Sequence, residues 1–353
     1  MKNAVWLMVI LIVACAINFS IKDNSKFNKR IFQFTYEVEI EATNGKKLEV
    51  WIPIPQSNEV QNISNLTIVT DGLEYSIKDE KVHGNKYLYI LDKTGISSSE
   101  TVSVKFDVIR KEHGSLSDKS VNPQNYLGSY NTVPTGSLFS NVIDENNLSN
   151  SNIRGIYNFI LSGMHYGKPK SVDDIYYRSP WLNSDSIYGR KGVTRDDVVK
   201  LYQKSNSEGG NYTFGNGNSI YACDIGVGNC TDYHSYFMSL GRTLEIPVRF
   251  HMGFPIPSGS EGIVGGYHCW ADYFVEGEGW YPVDISEADK KPSKRDYYFG
   301  TLDPNRVDIM VGRDLILEGY ELESTNLFIY PLMEVDDEIS NAFTKSFYYK
   351  TLP

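Results

Sequence analysis

Two strings decide how this chain is read: GVGNCTDYHSYFMSLGR at residues 226–242 and GGYHCWADYFVEGEGWYPVD at residues 265–284. After Cys230 the apolar residues Tyr233, Phe237, Leu240 and Leu244 recur every three or four positions, which predicts an amphipathic helix beginning at or beside Cys230. The glycines before it permit a tight backbone approach. A Cys at a helix N-terminus sits at the positive end of the helix dipole, which enriches the thiolate, and the unpaired N–H groups there can hold an oxyanion. The second string reads as a strand, a Gly-rich turn and a second strand. His268 stands near the start of the first strand and Asp284 near the end of the second. A thiol needs a base, and the base needs an acceptor that fixes its tautomer. Cys230, His268 and Asp284 supply that set in chain order.

The hairpin carries a geometric condition. Directly paired residues of an antiparallel hairpin share a face. A two-residue loop at Gly277 and Glu278 pairs Glu276 with Gly279, and hence Ala271 with Asp284. Asp284 then faces away from His268. A triad therefore requires an odd-length loop or a bulge within residues 275–282, which Gly277 and Gly279 can accommodate and Pro282 encourages.

Each residue has a plainer reading. A single Cys is more often a buried small hydrophobe than a nucleophile. His268 alone would be a structural histidine, and Asp284 a turn residue or helix cap. His234 lies four residues after Cys230, so both can face one side of a helix. A zinc pair with His251 or Cys269 as third ligand is an alternative, but the spacing matches no compact site, and a packed role near the site is preferred. Cys269 follows His268 on a strand and points to the opposite face, where core packing is expected. Cys223 could pair with another thiol, although pairing with Cys230 would silence the site. Trp270 shares a face with His268 and either roofs the cleft or packs in the core. Asp232 and Arg249 read as structural polar contacts.

Residues 31–112 read as an antiparallel β-sandwich. Phe32, Phe34, Tyr36, Val38 and Ile40 alternate with polar residues, and further short strands follow at sandwich spacing. Residues 113–148 read as a linker and 149–320 as an α+β catalytic core, with 321–353 as a C-terminal extension. A helix starting near residues 149–152 carries Ile153, Ile156, Tyr157, Ile160 and Leu161 at helical spacing. The polar stretch 167–218 holds one short helix at 195–203 and otherwise builds a wall of the cleft.

The 353 residues, 41% hydrophobic and 22% charged, are ordinary globular composition, and the net charge of −10 without a basic block excludes nucleic acid as a partner. No CxxC pair is present, so neither a structural zinc nor a thioredoxin-like motif is expected, and thiol acyl transfer needs no metal or organic cofactor. Met1-Lys-Asn followed by the apolar run 4–14 and Cys15 reads as a signal peptide over 1–14. Ile12-Val-Ala-Cys15 resembles the bacterial lipobox, which implies lipid on Cys15, a tether over 15–30, export to the cell envelope and a membrane anchor.

Several stretches together resemble the transglutaminase-like superfamily, whose core is papain-like. They are ACD at 222–224, GNCTDYHS at 228–235, IPVR at 246–249, GYHCWADY at 266–273, GWYPVDISEA at 279–288 and KRDYYFG at 294–300. The resemblance covers residues 150–320, and WIPIPQ at 51–56 is similar to the sandwich that precedes such cores. It implies Cys230 as nucleophile, His268 as base and Asp284 as orienter, acting on a protein or peptide amide. For the oxyanion side chain Trp181 and Asn218 are the candidates. The insert at 167–218 departs from a compact core and leaves the substrate class open. The expected activity is acyl transfer through a thioester. The rival is a non-catalytic envelope scaffold or binding module on the same fold.

Overall fold

The structure, a computed structural model, describes residues 28–171, 173–174, 182 and 189–353. Cys15 and Trp181 lie outside these residues. The first strands are β1 (Lys29–Ile40), β2 (Leu48–Ile54), β3 (Gln61–Val69), β4 (Tyr75–Asp79), β5 (Lys86–Asp92) and β6 (Glu100–Lys111). In β1 the expected period of two holds: Phe32, Phe34, Tyr36, Val38 and Ile40 are buried and the residues between them are not. β2 is instead buried along its whole length. It lies in the middle of its sheet, and residues 318–320 cover its outer face. The Trp51 ring packs edge-on against Tyr320, and its indole N–H donates to the Glu318 carbonyl at 3.0 Å.

Next come α1 (Ser140–Glu145), α2 (Ile153–Gly163), β7 (His165–Tyr166), α3 (Arg195–Glu208), α4 (Ser219–Ile225), β8 (Val227–Gly228) and α5 (Cys230–Thr243). β9 (Val248–Pro255), β10 (Glu261–Ile263), β11 (His268–Val275) and β12 (Gly279–Val283) lead to α6 (Ile285–Lys290) and β13 (Arg306–Val311). The last strands are β14 (Leu332–Val335), β15 (Glu338–Ile339) and β16 (Phe343–Thr351). α2 starts where the sequence places it, with the Asn152 side chain capping Gly155 N–H at 3.0 Å. α3 begins at the expected residue behind a Thr194–Asp197 capping box and runs five residues further than read, to Glu208.

Two five-stranded antiparallel sheets, ordered β10-β16-β1-β6-β3 and β15-β14-β2-β5-β4, share one apolar core. The segment 321–353 is thus more than an extension. It supplies β14, β15 and β16, and Phe32 pairs with Thr351. Pairing over that distance leaves no local sequence pattern.

The core sheet runs β12-β11-β9-β13, antiparallel throughout. α5 covers the face that carries Cys269, Ala271 and Tyr273, and the Phe237 and Tyr273 rings meet at 6.3 Å. The helix starts at Cys230 as expected but is not amphipathic, since Cys230 through Arg242 are all buried. Its polar residues stay inside because they are partnered. Ser235 accepts from Arg313 at 2.9 Å, Ser239 donates to the Pro134 carbonyl at 2.7 Å, and Arg242 donates to the Val248 carbonyl at 3.0 Å. No helix among the described residues is long and apolar enough to cross a membrane.

Candidate active site

α5 is held at its start by its own side chains. The Asn229 carboxamide accepts from the N–H groups of Thr231 and Asp232, and Asp232 returns a bond to Asn229 N–H at 3.0 Å. Asp232 also accepts from Gly215 N–H at 2.9 Å and Gly217 N–H at 3.1 Å, which ties the preceding loop to the helix. Burial pushes its carboxyl up to about 7 against these donors. At Gly228 an added Cβ would lie 2.6 Å from the Asp232 Cβ, so the approach to Cys230 requires glycine there. Asn218, a candidate for the oxyanion, is a helix cap instead: its side-chain oxygen accepts from the N–H groups of Ile220 and Tyr221.

The hairpin meets the condition for a shared face. Val275 pairs with Gly279 and Ala271 with Val283, so the loop holds three residues. Gly277 and Gly279 take φ of 78° and 108°, values that favour glycine. Asp284 therefore falls across from Trp270, on the face of His268. It has already left β12 and caps α6, so it reaches His268 diagonally.

The structure brings Cys230, His268 and Asp284 together, all buried. His268 Nε2 lies 2.7 Å from Asp284 Oδ2, which fixes that nitrogen as the donor and leaves Nδ1 for the Cys230 side. Asp284 Oδ2 also accepts from Arg306 at 2.9 Å, while Oδ1 accepts from Glu287 N–H at 3.0 Å and Ser286 Oγ at 3.2 Å. Asp284 is thus helix cap and histidine partner at once. Burial opposes its charge, but His268 and Arg306 hold it well below the usual carboxylate range. Burial alone would lower His268; Asp284 and then Cys230 raise it to about 9. The Cys230 thiol is held well below its ordinary value by the Cys269 thiol and, against burial, by His268. A cleft of about 410 Å³, lined by His268, Glu287, Lys291, Tyr298 and Arg306, opens beside these groups.

Two neighbours, Arg306 and Cys269, were not legible as partners in the sequence; a third, His234, packs at the site as read. Arg306 bridges Asp284 to Asp303, at 3.0 Å from the latter, and its guanidinium lies 5.0 Å from the Trp270 ring centre. His234 donates from Nδ1 to the Cys230 carbonyl at 2.7 Å and accepts at Nε2 from Ile285 N–H at 3.0 Å, linking Cys230 to the residue after Asp284. Cys269 lies on the face opposite His268, as strand alternation predicts, but there its sulfur lies 3.6 Å from Thr231 Oγ1 and hydrogen-bonds with the Cys230 side chain.

His251 does not serve as a third ligand beside Cys230 and His234. It lies between Asp308 at 2.9 Å and Asp272 at 3.1 Å, and its ring stacks on Trp270 with centroids 5.7 Å apart. Trp270 is buried among these groups and is absent from the lining of the cleft beside His268. Arg249 pairs with Asp272 and Asp118, a structural contact as read. Among the described residues, the group that could hold a metal is Glu49, Glu334 and Asp337, where Lys47 already supplies a cation 2.6 Å from Glu49.

Residues 184–285 match the model of the transglutaminase-like superfamily, a span that contains Cys230, His268 and Asp284. An uncharacterized protein of Haemophilus influenzae is 23% identical over 367 residues, covering 92% of each chain. The solved structure of a candidate cysteine protease from Cytophaga hutchinsonii superposes with a TM-score of 0.53 at 12% identity, covering 93% of both chains, and so shares the fold. With α5 seated on an antiparallel sheet, residues 184–285 are similar to the transglutaminase-like superfamily, and the chain shares the fold of the Cytophaga hutchinsonii protein.

Proposed function

We propose that this protein is a thiol-dependent acyl-transfer enzyme acting on an amide of a protein or peptide. The observation that carries the reading is the buried chain Cys230–His268–Asp284–Arg306, in which each group fixes the protonation of the next. The Cys230 thiolate attacks the carbonyl carbon, and the oxyanion forms at the positive N-terminus of α5, beside the Cys230 N–H. His268, already protonated, gives its proton to the departing amine and leaves a thioester on Cys230. Water then attacks the thioester with His268 as base, which makes hydrolysis the favoured outcome; an amine in its place makes a crosslink. Asp284 keeps the imidazole in one tautomer throughout.

Brief iodoacetamide treatment followed by peptide mapping tests this. Cys230 should label fastest, ahead of Cys223, whose thiol is pushed up by burial and by Asp224. Cys230→Ala should lower turnover of any true substrate by about 10³-fold or more. Preferential labelling of Cys223 or Cys269 would sink the assignment. We also propose that the protein is exported to the cell envelope and anchored by lipid on Cys15, as the Ile12-Val-Ala-Cys15 motif implies. Cys15→Ser should release it from the membrane fraction, and an intact mass without lipid rules the anchor out.

A further inference from the structure

We propose that Cys230 and Cys269 form a modification site, at which a hydroperoxide converts the two thiols into a reversible disulfide that closes the centre. This rests on the reading of Cys230 as the nucleophile. Cys223, Cys230 and Cys269 are all free thiols. Cys223 lies elsewhere, in an apolar pocket with Phe159, Met164 and Tyr236. Cys230 and Cys269 are both buried and face one another where α5 begins above the start of β11. Strand alternation sends His268 to one face of β11 and Cys269 to the other, and the first residue of α5 meets both. Thr231, next to Cys230, holds the Cys269 sulfur at 3.6 Å.

The chemistry runs in two balanced steps. The Cys230 thiolate attacks one peroxide oxygen. The O–O bond breaks, the sulfur is oxidised to the sulfenic acid, and the other oxygen leaves as hydroxide or alkoxide. The Cys269 sulfur then attacks the Cys230 sulfur. The S–S bond forms, the S–O bond breaks, and the hydroxyl leaves as water with the proton of Cys269. Burial and the neighbouring Cys230 hold the Cys269 thiol well above its ordinary value, so Cys230 is the thiol that meets the oxidant. The buried position admits a small peroxide more readily than a bulky disulfide. The product cannot accept an acyl group, and it stops oxidation short of the irreversible sulfinic acid.

The test uses the reduced full chain. Iodoacetamide mapping of an untreated sample comes first. Hydrogen peroxide is then added, and the protein is digested without reductant. The expected result is a peptide pair joined through Cys230 and Cys269, with Cys230 labelling restored by dithiothreitol. In Cys269→Ala, peroxide should drive Cys230 to the sulfinic acid, and the fraction recovered by dithiothreitol should fall about tenfold. Cys269→Ser serves the same purpose if the Ala variant does not fold. Equal recovery in wild type and variant, or a Cys230 sulfinic acid with no joined peptide in wild type, overturns the proposal. If Cys230 is not the preferred thiol of the untreated protein, the enzyme reading fails and takes the switch with it. If Cys230 is preferred and no disulfide forms, only the switch fails.

Discussion

His268 and His251 stand on neighbouring antiparallel strands of the core sheet, on the same face, with the Trp270 ring between them. Both are buried, and both are raised to about 9 by carboxylates that outweigh burial. By basicity alone they are indistinguishable. They differ in what their ring nitrogens do. His251 spends one on Asp308 and the other on Asp272. His268 spends one on Asp284 and turns the other toward a thiol. His234, close by, also spends both, on the Cys230 carbonyl and Ile285 N–H. A perturbed pKa therefore marks a candidate, and a spare nitrogen facing a nucleophile marks the base.

Crossed substitutions give the largest effect. His268→Gln should lower turnover, and Cys230 alkylation at neutral pH, by about 10³-fold, while His251→Gln leaves the alkylation rate within about twofold. A comparable slowing in both variants would break the distinction. His251→Gln should act on stability instead. Its folded pKa is raised from 6.5 to about 9, so its contribution is full below the unfolded value and is lost as pH rises through about 9. The loss relative to wild type should be about 3 kcal/mol near pH 6 and should shrink toward zero above pH 9, as read by urea unfolding at both ends. A gap that widens with pH contradicts the assignment.

The smallest effect belongs to His234. A glutamine there can keep one of its two hydrogen bonds but not both. His234→Gln should cost about 1 kcal/mol of stability and slow Cys230 alkylation about tenfold, because the nucleophile helix is no longer tied to the residue beside Asp284. Loss of stability with an unchanged alkylation rate would mean that His234 only packs.

Much of the site could be read from local pattern. The spacing after Cys230 placed the helix start, and strand parity required an odd-length loop or a bulge, of which the molecule uses a three-residue loop between Val275 and Gly279. Parity also put Cys269 on the face opposite His268. It could not show that α5 begins directly over it, because that depends on how helix and sheet dock. Arg306 was missed for a related reason. An Asp-Pro-Asn-Arg stretch at residues 303–306 carries no sign that its guanidinium reaches Asp284. The burial of α5 on all sides was hidden by its polar residues, whose partners, such as Arg313 and Pro134, lie far away in the chain.

The place of β16 has a consequence in time. It lies between β1 and β10, so one edge of β1 stays open until β16 exists. Roughly 300 residues separate the end of β1 from the start of β16, and at about 5–20 residues per second their synthesis takes on the order of 15 to 60 s. During that interval β1 can pair with β6 but offers its other side, apolar on alternate residues, to any strand that comes near. The strand made early waits for one made late, and the waiting edge is the stretch that a chaperone would need to cover.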